Sequence, residues 1–263
     1  MSLFQTEVLH FLEQNVNVIP HPFFSHLHCG NFELMLIPLS PISADYKNQI
    51  YELKKEYKFN NQKLIILWED VWLTKNEIVK SRLMVLMGKG ERIFARKTTV
   101  KVIDIVVSTQ FLNQHHLQGG TKAKFKFGLF TGEELVAVAT FGPSLLMKNE
   151  LNPYISYGWI RYASKKGTIV VGGMSKIMKY FVQMVQPGGI TSYVDFDWAN
   201  GESYEKLGFE LVEITPCQSF YINDNNERIY PHKIKESIEF IDNQTNKVFN
   251  AGNLKYIKRF YEK

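Results

Sequence analysis

Much that would narrow a function is missing from this chain. It has two cysteines, Cys29 and Cys217, far apart and in no metal- or redox-type spacing, so a disulfide framework is excluded. A reduced, cytoplasmic setting is the expectation. No stretch approaches the roughly 18 consecutive apolar residues of a membrane span, so no membrane partner is expected. The opening residues Met1 to Glu7 lack both a positive n-region and an apolar core, so no export signal is expected. Residues 1–44 contain no lysine or arginine, and their acids are Glu7, Glu13 and Glu33. There is no internal repeat, and no Pro/Gly-rich segment marks a flexible linker.

What is present is the make-up of a folded protein. The 263 residues are 45% apolar and 22% charged, enough for one large or two modest cores. The net charge of +5 is unevenly placed. Lys75, Lys80, Arg82, Lys89, Arg92, Arg96, Lys97 and Lys101 face only Glu77 and Glu91, a local excess of +6. Such a window suits either weak nucleic-acid binding through residues 75–101 or a solvated surface. His21, His26, His28 and Cys29 crowd together, but their spacing matches no tetrahedral metal motif, and no metal is expected.

The patterning predicts an α/β protein. Residues 3–15 read as a helix with Phe4, Val8, Phe11 and Leu12 on one face, closed off by Pro20 and Pro22. Phe32 to Pro38 and Leu64 to Trp68 read as buried strands. Residues 46–58, through Ile50, Leu53 and Tyr57, and Lys75 to Met87 read as helices. Leu64 to Leu83, followed by Ile93 to Lys97, resembles the end of the Vsr-like nuclease domain of phage homing-endonuclease-like proteins. That resemblance implies a nuclease-like α/β domain over residues 1–106. The position of its first metal-binding aspartate is Leu34 here, with Glu33 beside it. Metal-assisted cleavage needs converging carboxylates, so the nuclease-like domain is expected to be degenerate.

After residue 106 the pattern changes. Ser108 to His115 reads as a helix capped by Ser108. Phe125–Phe130 and Leu135–Phe141 flank Thr131-Gly132-Glu133-Glu134 as a hairpin. Ile155–Ala163 and Ile190–Val194 read as strands around a helix from Met174 to Val185. Phe209–Ile214 and Ser219–Ile222 read as a closing pair, with a last strand from Asn253 to Phe260. The richest stretch is Val170-Val171-Gly172-Gly173-Met174-Ser175-Lys176. Glycines between a β-branched run and a helix let backbone N–H groups approach a phosphate at the positive end of the helix dipole. Further on stands Asn200-Gly201-Glu202-Ser203-Tyr204-Glu205-Lys206-Leu207-Gly208-Phe209.

Together these two elements resemble the acetyl-coenzyme A half of the GNAT N-acyltransferases. The resemblance covers roughly residues 107–222, within a domain of residues 107–263. It implies a mixed sheet with flanking helices, acetyl-CoA or another acyl-CoA as cofactor, and an amine acceptor that the sequence does not name. It places the coenzyme pyrophosphate on Val171, Gly172, Gly173, Met174, Ser175 and Lys176. It makes Tyr204 the acid that protonates the departing thiolate and counts Asn200, the cap of the following helix, among the coenzyme-binding residues. Three positions differ from the family, one being Ser175 in place of the loop's closing Gly or Ala. Its usual Arg or Gln at the head of the loop is Val170, and Gly158 stands where relatives often carry Glu. The sequence therefore keeps two readings open: an acyl-CoA-dependent N-acyltransferase, or a non-catalytic nucleic-acid-binding or interaction protein derived from a mobile-element nuclease.

Overall fold

The computed structural model describes residues 2–12, 16–19, 24–39, 44–148, 153–233 and 247–260. Pro20, His21 and Pro22 lie outside them. The chain forms two compact units. One combines residues 1–79, 194–201 and 214–254; the other combines residues 80–193, 202–213 and 255–263. The border expected near residue 106 thus falls inside the second unit.

Helix α1 (Leu3–Phe11) starts in a reciprocal capping box: Gln5 N–H donates to Ser2 Oγ at 3.3 Å, and Ser2 N–H to Gln5 Oε1 at 2.8 Å. Its Phe4 and Val8 are buried, as the spacing predicts. Strands β1 (Asn17–Ile19), β2 (Ser25–His28), β3 (Glu33–Ile37) and, beyond helix α2 (Ala44–Phe59), β4 (Leu64–Trp68) form one sheet in that order. Only the β3–β4 pair is parallel among the three ladders. All five residues of β4 are buried, which explains its unbroken apolar run. On α2 the buried stripe is Tyr46, Ile50 and Lys54, spaced by four; of the expected line Ile50 is buried, and Leu53 and Tyr57 are half-buried. Helix α3 (Glu69–Leu86) begins earlier than its sequence pattern suggested and kinks at Lys75, where φ is −133° and ψ 29°.

The second unit contains β5 (Glu91–Phe94), a 3-10 turn (Ala95–Lys97), β6 (Thr99–Val102) and α4 (Ile105–His115). Asp104 caps α4 by accepting the Val107 N–H at 2.8 Å, so the expected cap, Ser108, is buried inside the helix. The predicted hairpin is β7 (Phe125–Thr131) and β8 (Glu134–Met147), turning at Gly132 with φ +60°. Then follow β9 (Tyr154–Ser164), β10 (Thr168–Val171), α5 (Gly173–Val185), β11 (Gly189–Asp195), the one-turn α6 (Glu202–Glu205) and β12 (Glu210–Ile214). Phe111 and Leu112 of α4 pack on Val138 and Ala163. On α5, Ile177, Met178 and Phe181 turn inward, and Phe181 stacks on Phe141 at 4.0 Å.

Strands β13 (Ser219–Ile222), β14 (Arg228–Ile229) and β15 (Lys247–Phe249) form a three-stranded sheet of the first unit, in the order β14-β13-β15. The expected closing pair is therefore not formed: β13 belongs to another sheet. The neighbour of β12 is the last strand, β16 (Asn253–Arg259). The large sheet runs β12-β16-β11-β9-β8-β7-β6, with β9 and β11 parallel and β6 to β9 successively antiparallel. The result is a mixed α/β fold.

Candidate functional site

Where β10 meets α5, Gly172 is the helix cap at φ +78° and ψ 4°, a left-handed conformation that favours glycine. No side chain caps this end, and the N–H groups of Gly173, Met174 and Ser175 have no intrahelical acceptor. The Lys176 N–H already closes on Gly172 O at 3.0 Å. The Lys176 ammonium is also committed, donating to Ala95 O at 2.8 Å and to Thr98 O. Its part is to fasten the 3-10 turn. Val170, at the head of the loop, is a core residue.

That 3-10 turn follows β5, which pairs in parallel with β10 from Thr168↔Glu91 to Val171↔Phe94. Arg96 and Lys97 on the turn are exposed, with the Arg96 guanidinium 5.1 Å from the centre of the Phe94 ring. Elsewhere in the basic window, Arg82 is half-buried near His116, and Lys101 lies 4.9 Å over the Phe130 ring.

The parallel ladder between β9 and β11 is short. It runs from Ser156↔Gly189 to Trp159↔Ser192, although β9 continues to Ser164 and β11 to Asp195. At its end Ser192 Oγ donates to Trp159 O at 2.9 Å, and the Trp159 indole N–H donates to Arg161 O at 3.1 Å. Two carbonyls near the end of the ladder thus accept from side chains. Beside it, Ile160 is an extra residue between the pairs Arg161↔Thr140 and Trp159↔Phe141, a β-bulge. At Gly158 an added Cβ would meet only Ile160 Cγ1, at 4.0 Å, so a side chain fits there.

Tyr204 stands at this end of the ladder. Its hydroxyl lies 3.1 Å from Ser192 Oγ, whose single proton is shared between the phenol oxygen and Trp159 O. The ring stacks on Tyr256 at 5.6 Å and meets Trp159 edge-on at 5.9 Å. Burial raises the Tyr204 pKa, with the Ser192 hydrogen bond opposing, so the phenol keeps its proton at neutral pH.

His116 follows α4, its Nδ1 accepting the Gln118 N–H at 3.1 Å. Burial, then the Arg161 and Arg82 charges, pulls its pKa down to about 3, and the imidazole is neutral. Arg161 donates to Ile160 O at 3.0 Å and to Gly119 O at 3.4 Å. His115 Nδ1 accepts the Lys166 N–H at 3.1 Å.

In the first unit, Asn200 belongs to a buried polar network: its carboxamide donates to Gln62 O at 2.6 Å and accepts from Lys54 Nζ at 3.3 Å. Asp197, whose Oδ1 accepts the Ala251 N–H at 2.8 Å, lies in the same charged neighbourhood, with Asp195 and Arg228. Burial lowers the pKa of Lys54 against the pull of Asp197 and Asp195; burial and then Asp195 raise that of Asp197. Sequence reading missed Lys54, whose type argues for an exposed position.

Glu33 bridges His26, at 3.2 Å, and His28, at 2.6 Å, while Leu34 is wholly buried. Burial and the Glu33 charge push the Cys29 thiol up to about 12, the reverse of what a thiolate ligand needs. Among the described residues, no group of three or more His, Cys, Asp or Glu is arranged to hold a metal ion. No described helix is long and apolar enough to cross a membrane.

No family model and no curated protein sequence matches the chain. Solved structures with a similar fold include an IAA acetyltransferase from Bacillus cereus, at 10% identity over 62% of this chain and 99% of that one, with a TM-score of 0.37. A Bacillus subtilis acetyltransferase in complex with CoA matches at 12% identity over 63% of this chain and 100% of that one, with a TM-score of 0.35. A structure of histone acetyltransferase HPA2 and related acetyltransferase from Corynebacterium glutamicum matches at 10% identity over 85% and 96%, with a TM-score of 0.35. Likenesses this distant assign neither a family nor an activity to the chain.

Proposed function

We propose that the protein is an acyl-CoA-dependent N-acyltransferase of the GNAT type acting on an amine. One observation carries the reading. The β9–β11 ladder stops at Trp159 and Ser192, while β9 runs on and leads through β10 to the uncapped N-terminus of α5. A gap between parallel strands that leads to unsatisfied N–H groups suits an extended, amide-bearing arm ending in a pyrophosphate. The residues present fit such a group. The backbone of Gly172 to Ser175 would hold the pyrophosphate, and Arg96 and Lys97 on the neighbouring turn would add the positive charge that Val170 lacks.

When bound, the coenzyme supplies an activated acyl thioester. Tyr204 holds a proton on a buried phenol at the end of the ladder, where a departing sulfur would need one. Ser192 orients that hydroxyl, and Trp159, Phe209 and Tyr256 exclude water around it. The test is to mix the purified protein with acetyl-CoA and a panel of amines and follow release of free thiol. An amine-dependent rate that falls by about a hundredfold or more in Tyr204→Phe is expected for general acid catalysis. Full activity in that variant removes Tyr204 from the chemistry, and failure to bind acetyl-CoA removes the reading.

A further inference from the structure

Tyr162 lies on β9 beyond the Ile160 bulge, its ring edge-on to Trp159 with centroids 6.3 Å apart. Its hydroxyl is buried and makes no hydrogen bond with the protein. Ser164 lies close enough to favour the phenolate slightly, but outside hydrogen-bond geometry, and its own hydroxyl accepts the Val170 N–H at 3.4 Å. An unpaired buried hydroxyl costs about 1–3 kcal/mol. A phenylalanine would fill the same space without that cost.

The direction of the hydroxyl is informative. A Cβ built on Gly173 would collide with it, and would next meet Val170 Cγ1 at 3.0 Å and Leu129 Cδ1 at 3.1 Å. Cα–Cβ bonds of a helix tilt toward its N-terminus. The Tyr162 oxygen therefore sits at the N-terminal rim of α5, beside the N–H groups that no side chain caps. Burial raises the phenol to about 12, so it is a donor throughout the neutral range.

We infer that Tyr162 is an anion-binding residue whose hydroxyl donates to the phosphate group held on the first turn of α5. The inference rests on the acyl-CoA reading and identifies the anion as the coenzyme pyrophosphate. It also accounts for glycine at 173, since any side chain there would stand between the phenol and the turn. The polar contact missing at Val170 is on this reading supplied from β9.

The experiment compares wild type with Tyr162→Phe, which removes one oxygen and keeps the ring. CoA is titrated into each by calorimetry, and each is melted without ligand. The expected result is CoA binding weakened by about tenfold or more, the scale of a lost hydrogen bond to a charged group. The unliganded variant should melt no lower than wild type, because the lost atom had no partner. Equal CoA affinities would overturn the inference and leave the acyl-CoA reading standing. A lower unliganded melting point would also overturn it, by showing that the hydroxyl serves the fold. If wild type itself takes up no CoA, the acyl-CoA reading fails and this inference with it.

Discussion

The Tyr162 hydroxyl fills the direction in which a side chain at Gly173 would project. A glycine that the sequence explains by close approach of a phosphate is thus also required by packing from within. Gly173→Ala should destabilise the unliganded protein by roughly 1–3 kcal/mol, the scale of an overpacked core site. In a Tyr162→Phe background the loss should be smaller, because the colliding oxygen is gone while Val170 and Leu129 remain tight. Urea unfolding of the four proteins gives the coupling energy directly. Equal losses in both backgrounds would show that the collision is relieved elsewhere.

His116 should make the protein sensitive to acid. Its folded pKa, about 3, lies below the ordinary value of 6.5. The unfolded chain therefore takes up a proton near pH 6.5 that the folded chain refuses until far lower. The contribution of the neutral imidazole to stability is complete above pH 6.5 and is lost as pH falls from there toward 3. Urea midpoints at pH 7.5 and pH 5 should diverge in wild type and converge in His116→Asn, which keeps an acceptor for the Gln118 N–H. A pH dependence unchanged by the substitution would assign the acid sensitivity to other groups.

Lys54 is a buried amine whose Nζ donates to Leu64 O and to Asn200. Lys54→Met should cost about 2–4 kcal/mol, since it orphans those acceptors and removes a group whose protonated form opposes the raised pKa of Asp197. Adding Asp197→Asn should recover part of the loss. A neutral effect of Lys54→Met on chemical denaturation would mean that water takes over its bonds.

The sequence discloses the parts of this fold that follow from period and turn chemistry. The β7–β8 hairpin, the helix after Gly172 and the fully apolar β4 are all where patterning puts them. It misleads where a long-range partner decides. Lys54 is inward because Asn200 and Leu64 O offer it acceptors, a fact no local window contains. The neighbour of β12 is β16, after a detour through β13, β14 and β15, whereas adjacency along the chain favoured β13. Tyr162 escaped notice because the Ile160 bulge breaks strand alternation, so that residues three apart, Trp159 and Tyr162, come into contact. Tyr204 and the glycine turn were legible as motifs. Lys176 was legible only as a member of its loop, and its ammonium is occupied by the carbonyls of Ala95 and Thr98.

The central claim is that a coenzyme lies along the parted end of β9 and against the first turn of α5. Amide hydrogen exchange with and without acetyl-CoA tests it residue by residue. The account predicts slowed exchange at residues 160–164 and 173–175 when acetyl-CoA is added, with residues 25–37 of the first unit unchanged. Unaltered exchange at both segments under saturating acetyl-CoA, or protection confined to other parts of the chain, would contradict it.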